Sequence, residues 1–551
     1  MRILSISIEG HDTSGVILNN GKIEFYLPAE RISRSKHEHD ETFIFNYFRE
    51  KNLVKFDHIV VDCYRPSIAI ENEEDVWKNE CLISFNEFSN IGSGYMKEWV
   101  STHLRGFTWK YFKVNNYDHH LHHAYSGFYH SNFDEALCII LDGHGSERKV
   151  KGKRFFDCTQ AYEIESIYIA NKKSIEMVSK RYHEDLWRYV KMDTLGFCPS
   201  LMKWTNRGSA SLFVSNPKGK QSVGHKFQEL SHEYGFGWHS AGKIMGLAQY
   251  KGYESEINEI WKGGVEGSYK VQKETEEEVI EIIKKYSEKT GINNIVISGG
   301  YALNCVANYK FTKLFPHLNF FIDPICADVG ICIGQAYRHY KKYSLFKRIS
   351  PLKNVYLGSK PNYNLKFLKT TKTSYKEVAQ LLNLGKVISL CQGRSEAGFR
   401  ALGNRSLLMD PRIPDGRDRL NKIKGREDFR PFAGTVLKEY ANEWFDVEES
   451  QYMQYAVKVK KDGIPAMIHI DNTCRVQTVT KKQNKHYYNL IKAFYKLTGF
   501  PLVLNTSLNY AGEAIAEDLE QSIISSERMN LEYIFLPEKM LLVHLNKCLP
   551  S

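Results

Sequence analysis

The sequence predicts an α/β protein of two or more domains, and three observations predict it. The chain has 551 residues, more than one hydrophobic core ordinarily serves. Short apolar runs that end in glycine or Asp-Gly alternate with segments of helical period. Near residues 351–364 the stretch PLKNVYLGSKPNYN breaks that alternation with proline, glycine and asparagine, which marks a domain boundary. The expected division is 1–350 and 351–551.

Taken in order, ILSISIEG reads as a first strand, and SGVILNNGKIEFYL reads as a hairpin turned at Asn-Asn-Gly. ALCIILDGHG is a buried strand that ends at Asp142, an arrangement that presents a carboxylate to phosphate or metal. TEEEVIEIIKKYSEKTG has helical spacing and stops at Gly291. NNIVISGGYALNCVANYKF is a strand that ends in Gly299-Gly300 and continues as a helix. After the boundary, KEVAQLLNLG reads as a helix with a glycine stop, and KVISLCQG and FPLVLNTSLN read as strands.

Composition narrows the class. The chain is 42% hydrophobic and 25% charged, with 33 Tyr and 30 Phe, which is a folded rather than a disordered protein. No run of 18 apolar residues predicts a membrane helix, and the first residues lack the flank and length of a signal peptide. The 11 cysteines are odd in number and form no CxxC pair. Reduced thiols in the cytoplasm, with no membrane partner, are the expectation. The net charge is +11, and from Arg148 to Ser222 there are 15 Lys/Arg against 7 Asp/Glu. That basic insertion, about 148–222, is either a solvated surface or a contact for nucleic acid or another anion.

Chemistry concentrates in two places. DHHLHHAYSGF holds four histidines, of which His119 and His123 are four apart and share one face of a helix. Imidazoles with a carboxylate suit Fe, Mn or Zn, and Asp142 and Asp328 are the candidate carboxylates, each in a glycine-containing turn. SAGKIMGLAQYKG and SGGYALNCVAN supply glycines that let backbone N–H groups approach phosphate. With the two aspartates they suggest an actin-like ATP cleft. The C-terminal half is dense in cations: Arg394, Arg400, Arg405 and Arg412, then Lys422, Lys424, Arg426 and Arg430, then His469 and Arg475. Guanidinium forks suit phosphate and carboxylate. Bound anions explain that density better than a salt-bridge network does.

These residues together resemble the NodU/CmcH family of O-carbamoyltransferases. The resemblance runs from HDTSGVILNNGKI and AERISRSKH through DHHLHHAYSGFYHSNFDEA, GKIMGLAQY, SGGYALNCVAN and DVGICIGQA. It continues with GRSEAGFRALGNRSLLMDPR, IKGREDFRPFAGTVL, DNTCRVQTV and LVLNTSLNYAGE. It implies an N-terminal actin-like ATPase (ASKHA) domain of two subdomains and a C-terminal YrdC-like α/β domain. It also implies two steps, with carbamoyl phosphate and ATP giving carbamoyl-adenylate, followed by carbamoyl transfer to an acceptor hydroxyl.

Carried over by position, His119, His123 and Asp328 match the metal ligands, with iron the first candidate and Mg accompanying ATP. Asp142 lies near metal and nucleotide. Lys243, Gly246, Gly299, Gly300 and Asn304 match nucleotide loops, and His11 faces the acceptor as a candidate base. Lys424, Arg426, Arg430, Arg475 and the arginines Arg394, Arg400 and Arg405 fall in the carbamoyl-phosphate and ATP pocket. Asn505, Ser507 and Asn509 match its last loop, with Leu508 in place of Phe. Lys424 and Arg475 are expected to act in adenylate formation. Ser395, Ala397 and Phe399 depart from the family's usual Met, Phe and Pro, and the basic insertion is longer than usual. The acceptor is expected to be a small molecule or sugar. A hydroxymethylated nucleotide or DNA base is the alternative that the insertion raises, and a homodimer is a further expectation. A reading from another class is an actin-like, nucleotide-regulated binding protein, which would have no use for the intact cation set.

Overall fold

The computed structural model describes residues 1–8, 12–63, 82–84, 95–116, 118–151, 158–191, 202–204, 210–218 and 221–545. Three mixed sheets organise them. The first has six strands in the order Lys22–Pro28, Ser14–Asn19, Arg2–Ser7, His58–Cys63, Tyr111–Asn116, Leu82–Ser84. Its hairpin turns at Asn20 and Gly21, both with positive φ, as the Asn-Asn-Gly signal predicts. Strand Arg2–Ser7 then pairs in parallel with His58–Cys63, so its ends meet the crossover loops where sites in open α/β sheets form.

The second sheet has parallel pairs at its centre, Glu135–Leu141 with Asn294–Ser298 and Asn294–Ser298 with Asn319–Ile322. Its other side is the basic insertion. Strands Cys158–Asn171, Ile175–Lys191 and Ala210–Lys218 pair antiparallel and extend the sheet outward. The strand cores are apolar: Leu137, Ile139, Leu141, Ile295 and Ile297 are fully buried under helix Val265–Thr290, through its Val279 and Ile283. That helix ends at Gly291 with φ +69, the left-handed cap its sequence predicts.

Two helices, His119–Ser131 and Ile331–Tyr343, link these sheets. They touch at Gly334, where an added Cβ would stand 1.8 Å from the His122 carbonyl oxygen. Only a residue without a side chain permits that approach. The α/β class is the one the sequence predicts, and two sheets joined by crossing helices fit the actin-like expectation for the N-terminal part.

The third sheet, of nine strands between Lys369 and His544, carries the C-terminal half. Leu407, Met409, Val436, Val476, Leu502 and Leu504 fill one face of it. Leu390, Leu408, Leu437, Val479 and Val503 fill the other, under helices Tyr375–Asn383 and Lys485–Thr498. The strands therefore read as continuous apolar runs, as sheets covered on both faces do. Polar bonds dock this half on the N-terminal one. Arg31 donates to the carbonyls of Glu396 and Gly398 at 3.0 and 2.8 Å, Arg34 pairs with Glu513 at 3.0 Å, and Tyr250 donates to the Phe429 carbonyl at 3.2 Å.

Candidate functional site

A cavity of about 860 Å³ opens between the two halves, within the usual size of ligand pockets. Its floor is built by the N-terminal half. Helix His119–Ser131 sets His119 and His123 one turn apart, with their Nε2 atoms 3.1 Å from each other. Asp142 follows the end of strand Glu135–Leu141. Its Oδ1 accepts from the backbone N–H of Gly143 at 2.8 Å and of Gly300 at 3.1 Å. That turns Oδ2 to His119 Nε2 at 2.6 Å and His123 Nε2 at 3.3 Å. Asp328 opens the turn before helix Ile331–Tyr343. Its Oδ1 lies 3.4 Å from His119 Nε2 and 3.6 Å from His123 Nε2.

One ligand-type atom from each of these four residues lies within 4.8 Å of the other three. Burial alone would raise the Asp142 carboxyl, but hydrogen bonds with His119 and His123 hold it well below the usual carboxylate range. Asp328 is likewise depressed: burial and Asp142 oppose its charge, and His119 and His123 outweigh them. Burial opposes charge on His123, yet its bonds with Asp142 and Asp328 lift it above the ordinary histidine value. Two imidazole nitrogens aimed at each other between two ionised carboxylates form a donor set that one divalent cation satisfies at once. The mixture suits Fe, Mn or Zn, so the residues present fit a metal ion.

The facing wall comes from the C-terminal half. Arg400, Arg426, Arg430 and Arg475 all line the cavity, as do Asn505, Ser507 and Asn509. Burial first, then Arg475, pushes Arg400 down to about 10. Arg426 is held well below the arginine range by burial and by Arg430, and Arg430 is lowered by burial. Glu427 pairs with Arg430 at 3.4 Å, and it also pairs with Lys243 at 2.6 Å. Arg475 Nε is buried with no hydrogen-bond partner among the described residues. Crowded guanidiniums that lower one another lose that penalty when an anion joins them.

Of the other predicted residues, some stand around this cavity and some line it. Arg405 is fully buried and spends its donors on the carbonyls of Gln392, Gly393, Asn404, Glu517 and Ser359. Arg394 likewise donates to the carbonyls of Gly358 and Glu24. Lys424 is buried beneath the last loop and gives its ammonium to Ser507 and Asn509. Burial, then Arg426, lowers it well below the ordinary lysine value. These three brace the wall. Lys243 lies over the Phe236 ring at 4.7 Å. Gly246, Gly300 and Asn304 line the cavity. Asn304 also caps helix Cys305–Leu314 through Ala307 N. Gly299 has φ +94 and packs against the Leu141 carbonyl, which lets strand and loop meet behind Asp142.

His120 and His122 are fully buried beside the cluster, with His120 Nδ1 2.8 Å from Ser166 Oγ. His11 lies outside the described residues. In the basic insertion, Lys180 pairs with Glu163, and Arg181 pairs with Glu165 and Glu278. The cavity also recruits residues the sequence reading missed: Asp12, Glu30, Lys36 and His37. For the last three the segment AERISRSKH carried the signal as charges set among small residues. Nothing in its spacing says that it crosses to the arginine wall.

The model of the carbamoyltransferase C-terminus matches residues 379–542, and that of the carbamoyltransferase N-terminus matches residues 267–337. Nodulation protein NolNO of Sinorhizobium fredii is 26% identical over 93% of this chain and 76% of its own length. Nodulation protein U of the same organism is 25% identical over 93% and 94%. A 3'-hydroxymethylcephem-O-carbamoyltransferase of Amycolatopsis lactamdurans is 33% identical over 42% of this chain and 46% of its own. Among solved structures, full-length HypF in its phosphate- and nucleotide-bound form covers 62% of this chain and 56% of its own, with 15% identity and a TM-score of 0.34. With both family models matched in chain order, the chain resembles the carbamoyltransferases (NodU/CmcH family) at both regions and is a transferase.

Proposed function

We propose that the protein is an ATP-dependent O-carbamoyltransferase that forms carbamoyl-adenylate and passes its carbamoyl group to a hydroxyl of a small molecule or sugar. The observation that carries this reading is a cavity in which an anion-seeking wall faces a His/Asp floor. In the first step carbamoyl phosphate loses inorganic phosphate to water. The carbamate oxygen then attacks the α-phosphorus of ATP, and pyrophosphate leaves. Arg400, Arg426, Arg430 and Arg475 hold the phosphates, and Lys424 keeps the Ser507–Asn509 loop in register beneath them. Mg accompanies ATP. In the second step the acceptor oxygen bonds to the carbamoyl carbon and AMP departs.

His119, His123, Asp142 and Asp328 would hold a divalent ion, iron being the first candidate, which supplies Lewis-acid stabilisation of developing negative charge. We assign the first step to a YrdC-like unit, 351–551, and the second to residues 1–350.

The test is carbamoyl-phosphate-dependent exchange of pyrophosphate into ATP, followed by mass spectrometry of aminoglycosides, sugars and hydroxymethylated nucleosides for one added carbamoyl group. Exchange without added nucleic acid and a carbamoylated small molecule are expected. No exchange sinks the reading.

A further inference from the structure

The basic insertion reaches the metal site through two of its charges. Glu163, on strand Cys158–Asn171, and Lys180, on strand Ile175–Lys191, form an ion pair with side chains 1% and 7% exposed. Irregular pairing brings them together. The register runs from Lys180–Ser166 and Arg181–Glu165 to Tyr182–Glu163, which leaves Ile164 as an extra residue. A regular strand sends residues three apart to opposite faces. The bulge turns Glu163 to the face that Lys180 shares with its partner Ser166. That face looks onto the metal helix, since Ser166 Oγ lies 2.8 Å from His120 Nδ1. A second step, from Met177–Tyr168 to Ser179–Ile167, leaves Val178 as the extra residue of the other strand. Lys180 is thus flanked by two bulges, a device that re-aims side chains beside sites.

The pair grips both segments that carry the first ligands. Loop 142–146, which begins with Asp142, is bonded to Glu163 through backbone and side chain. Gly145 N donates to the Glu163 carbonyl at 2.7 Å, and Glu163 N donates to the Ser146 carbonyl at 3.2 Å. Ser146 N donates to Glu163 Oε2 at 3.2 Å. Ser146 Oγ in turn accepts the backbone N–H of His119 at 3.1 Å, at the first residue of helix His119–Ser131. Lys180 Nζ lies 3.6 Å from Oδ1 of Asp118, the residue just before that helix. Asp142 and His119 are therefore tied to one buried acid, and that acid to one buried ammonium. A buried carboxylate stripped of its cation is strongly unfavourable, so Glu163 holds this place with Lys180 opposite it.

We propose that Lys180 and Glu163 are positioning residues of the metal site. The insertion supplies them to hold loop 142–146 and the start of helix His119–Ser131 together, so that Asp142 and His119 present their ligand atoms to one ion. This rests on the reading of the floor as a metal centre.

Cobalt(II) is the probe, titrated into metal-stripped full-length protein. Three quantities are read: its dissociation constant by chelator competition, its ligand-sensitive visible absorption band, and the melting temperature without metal. Lys180→Met is expected to weaken cobalt binding by about 10- to 100-fold and to alter the band. Lys180→Met with Glu163→Gln leaves no buried charge unpaired. Its melting temperature is expected to return toward that of the wild type, while affinity stays about 10-fold or more below it. Arg181→Met, whose partners are Glu165 and Glu278 rather than Glu163 and Asp118, is expected to lower the melting temperature and leave affinity and band in place. Wild-type affinity and band in Lys180→Met overturn the proposal. So does full recovery of affinity in the double variant, which makes the pair a matter of folding alone; that variant decides the question even where the single one does not fold. Equal loss of affinity in Arg181→Met overturns it as well, because any weakening of the insertion would then suffice. A wild type that binds no cobalt defeats the metal reading of the floor instead.

Discussion

At the floor of the cavity two imidazoles meet two carboxylates, whereas four guanidiniums line the facing wall and one of them, Arg430, pairs with Glu427. The floor is matched within itself. Asp142 and Asp328 are depressed and His123 is raised, because the carboxylates and imidazoles favour one another's charge. The wall is unmatched. Arg400, Arg426 and Arg430 are lowered by burial, and like charge adds to it. The floor holds its shape by mutual attraction and can accept a cation. The wall stores repulsion that an arriving anion relieves. A reaction that brings phosphates to one side and develops charge at the other uses both conditions.

The comparison breaks first at the floor. Replacing His119 and His123 together with alanine is expected to abolish bound metal, measured by elemental analysis. Carbamoyl transfer should fall by about a thousand-fold, the equivalent of several kcal/mol, while pyrophosphate exchange continues. Loss of exchange as well would show that the floor serves both steps.

A smaller effect separates two arginines. Arg475→Ala should lower exchange by roughly 10- to 100-fold through carbamoyl-phosphate KM, for the loss of a charge-assisted contact worth about 1.5–3 kcal/mol, and leave the melting temperature nearly unchanged. Arg405→Ala strands buried carbonyls on five residues. It is expected to cost stability of about 3 kcal/mol or more, seen as a lower melting temperature. Equal thermal loss in both variants would erase the distinction between binding and bracing.

The smallest effect is in pH. In chelator-treated protein, Asp142 and Asp328 have folded values below their unfolded ones. Their stabilisation is present above about pH 4 and is lost as pH falls through the depressed values. His123 has a raised folded value. Its stabilisation is complete below about pH 6.5 and is lost as pH rises through that raised value. Melting temperature against pH should therefore peak between those limits without metal. With metal the alkaline decline should vanish, since ligation needs neutral imidazole. A flat profile would mean the floor is not coupled.

What the sequence revealed and withheld follows from range. The hairpin at Asn20-Gly21, the helix ending at Gly291 and the strand ending before Asp142 depend on neighbours in the chain, and they formed where predicted. The His119–His123 spacing is itself helical geometry, so their shared face was legible. The arginines were not separable by sequence. Arg405 and Arg475 both lie on strands rich in apolar residues, and only packing turns one into carbonyl cages and the other to the cavity. Asp12, Lys36 and His37 were missed as site residues because the arginine wall that shares their cavity lies hundreds of residues onward. The fate of the basic insertion was equally non-local, since Arg181 is answered by Glu278 on a distant helix.

The contact at Gly334 has a consequence for inheritance of the activity. This residue has no side chain to coordinate with and does not line the cavity described above, yet it decides how closely its helix approaches the backbone that carries His119 and His123. In a map of tolerated substitutions it would stand out as sharply as a ligand, and relatives that drift there must move a whole helix in compensation. Selection on the chemistry is thus written partly into a position that bears no chemistry.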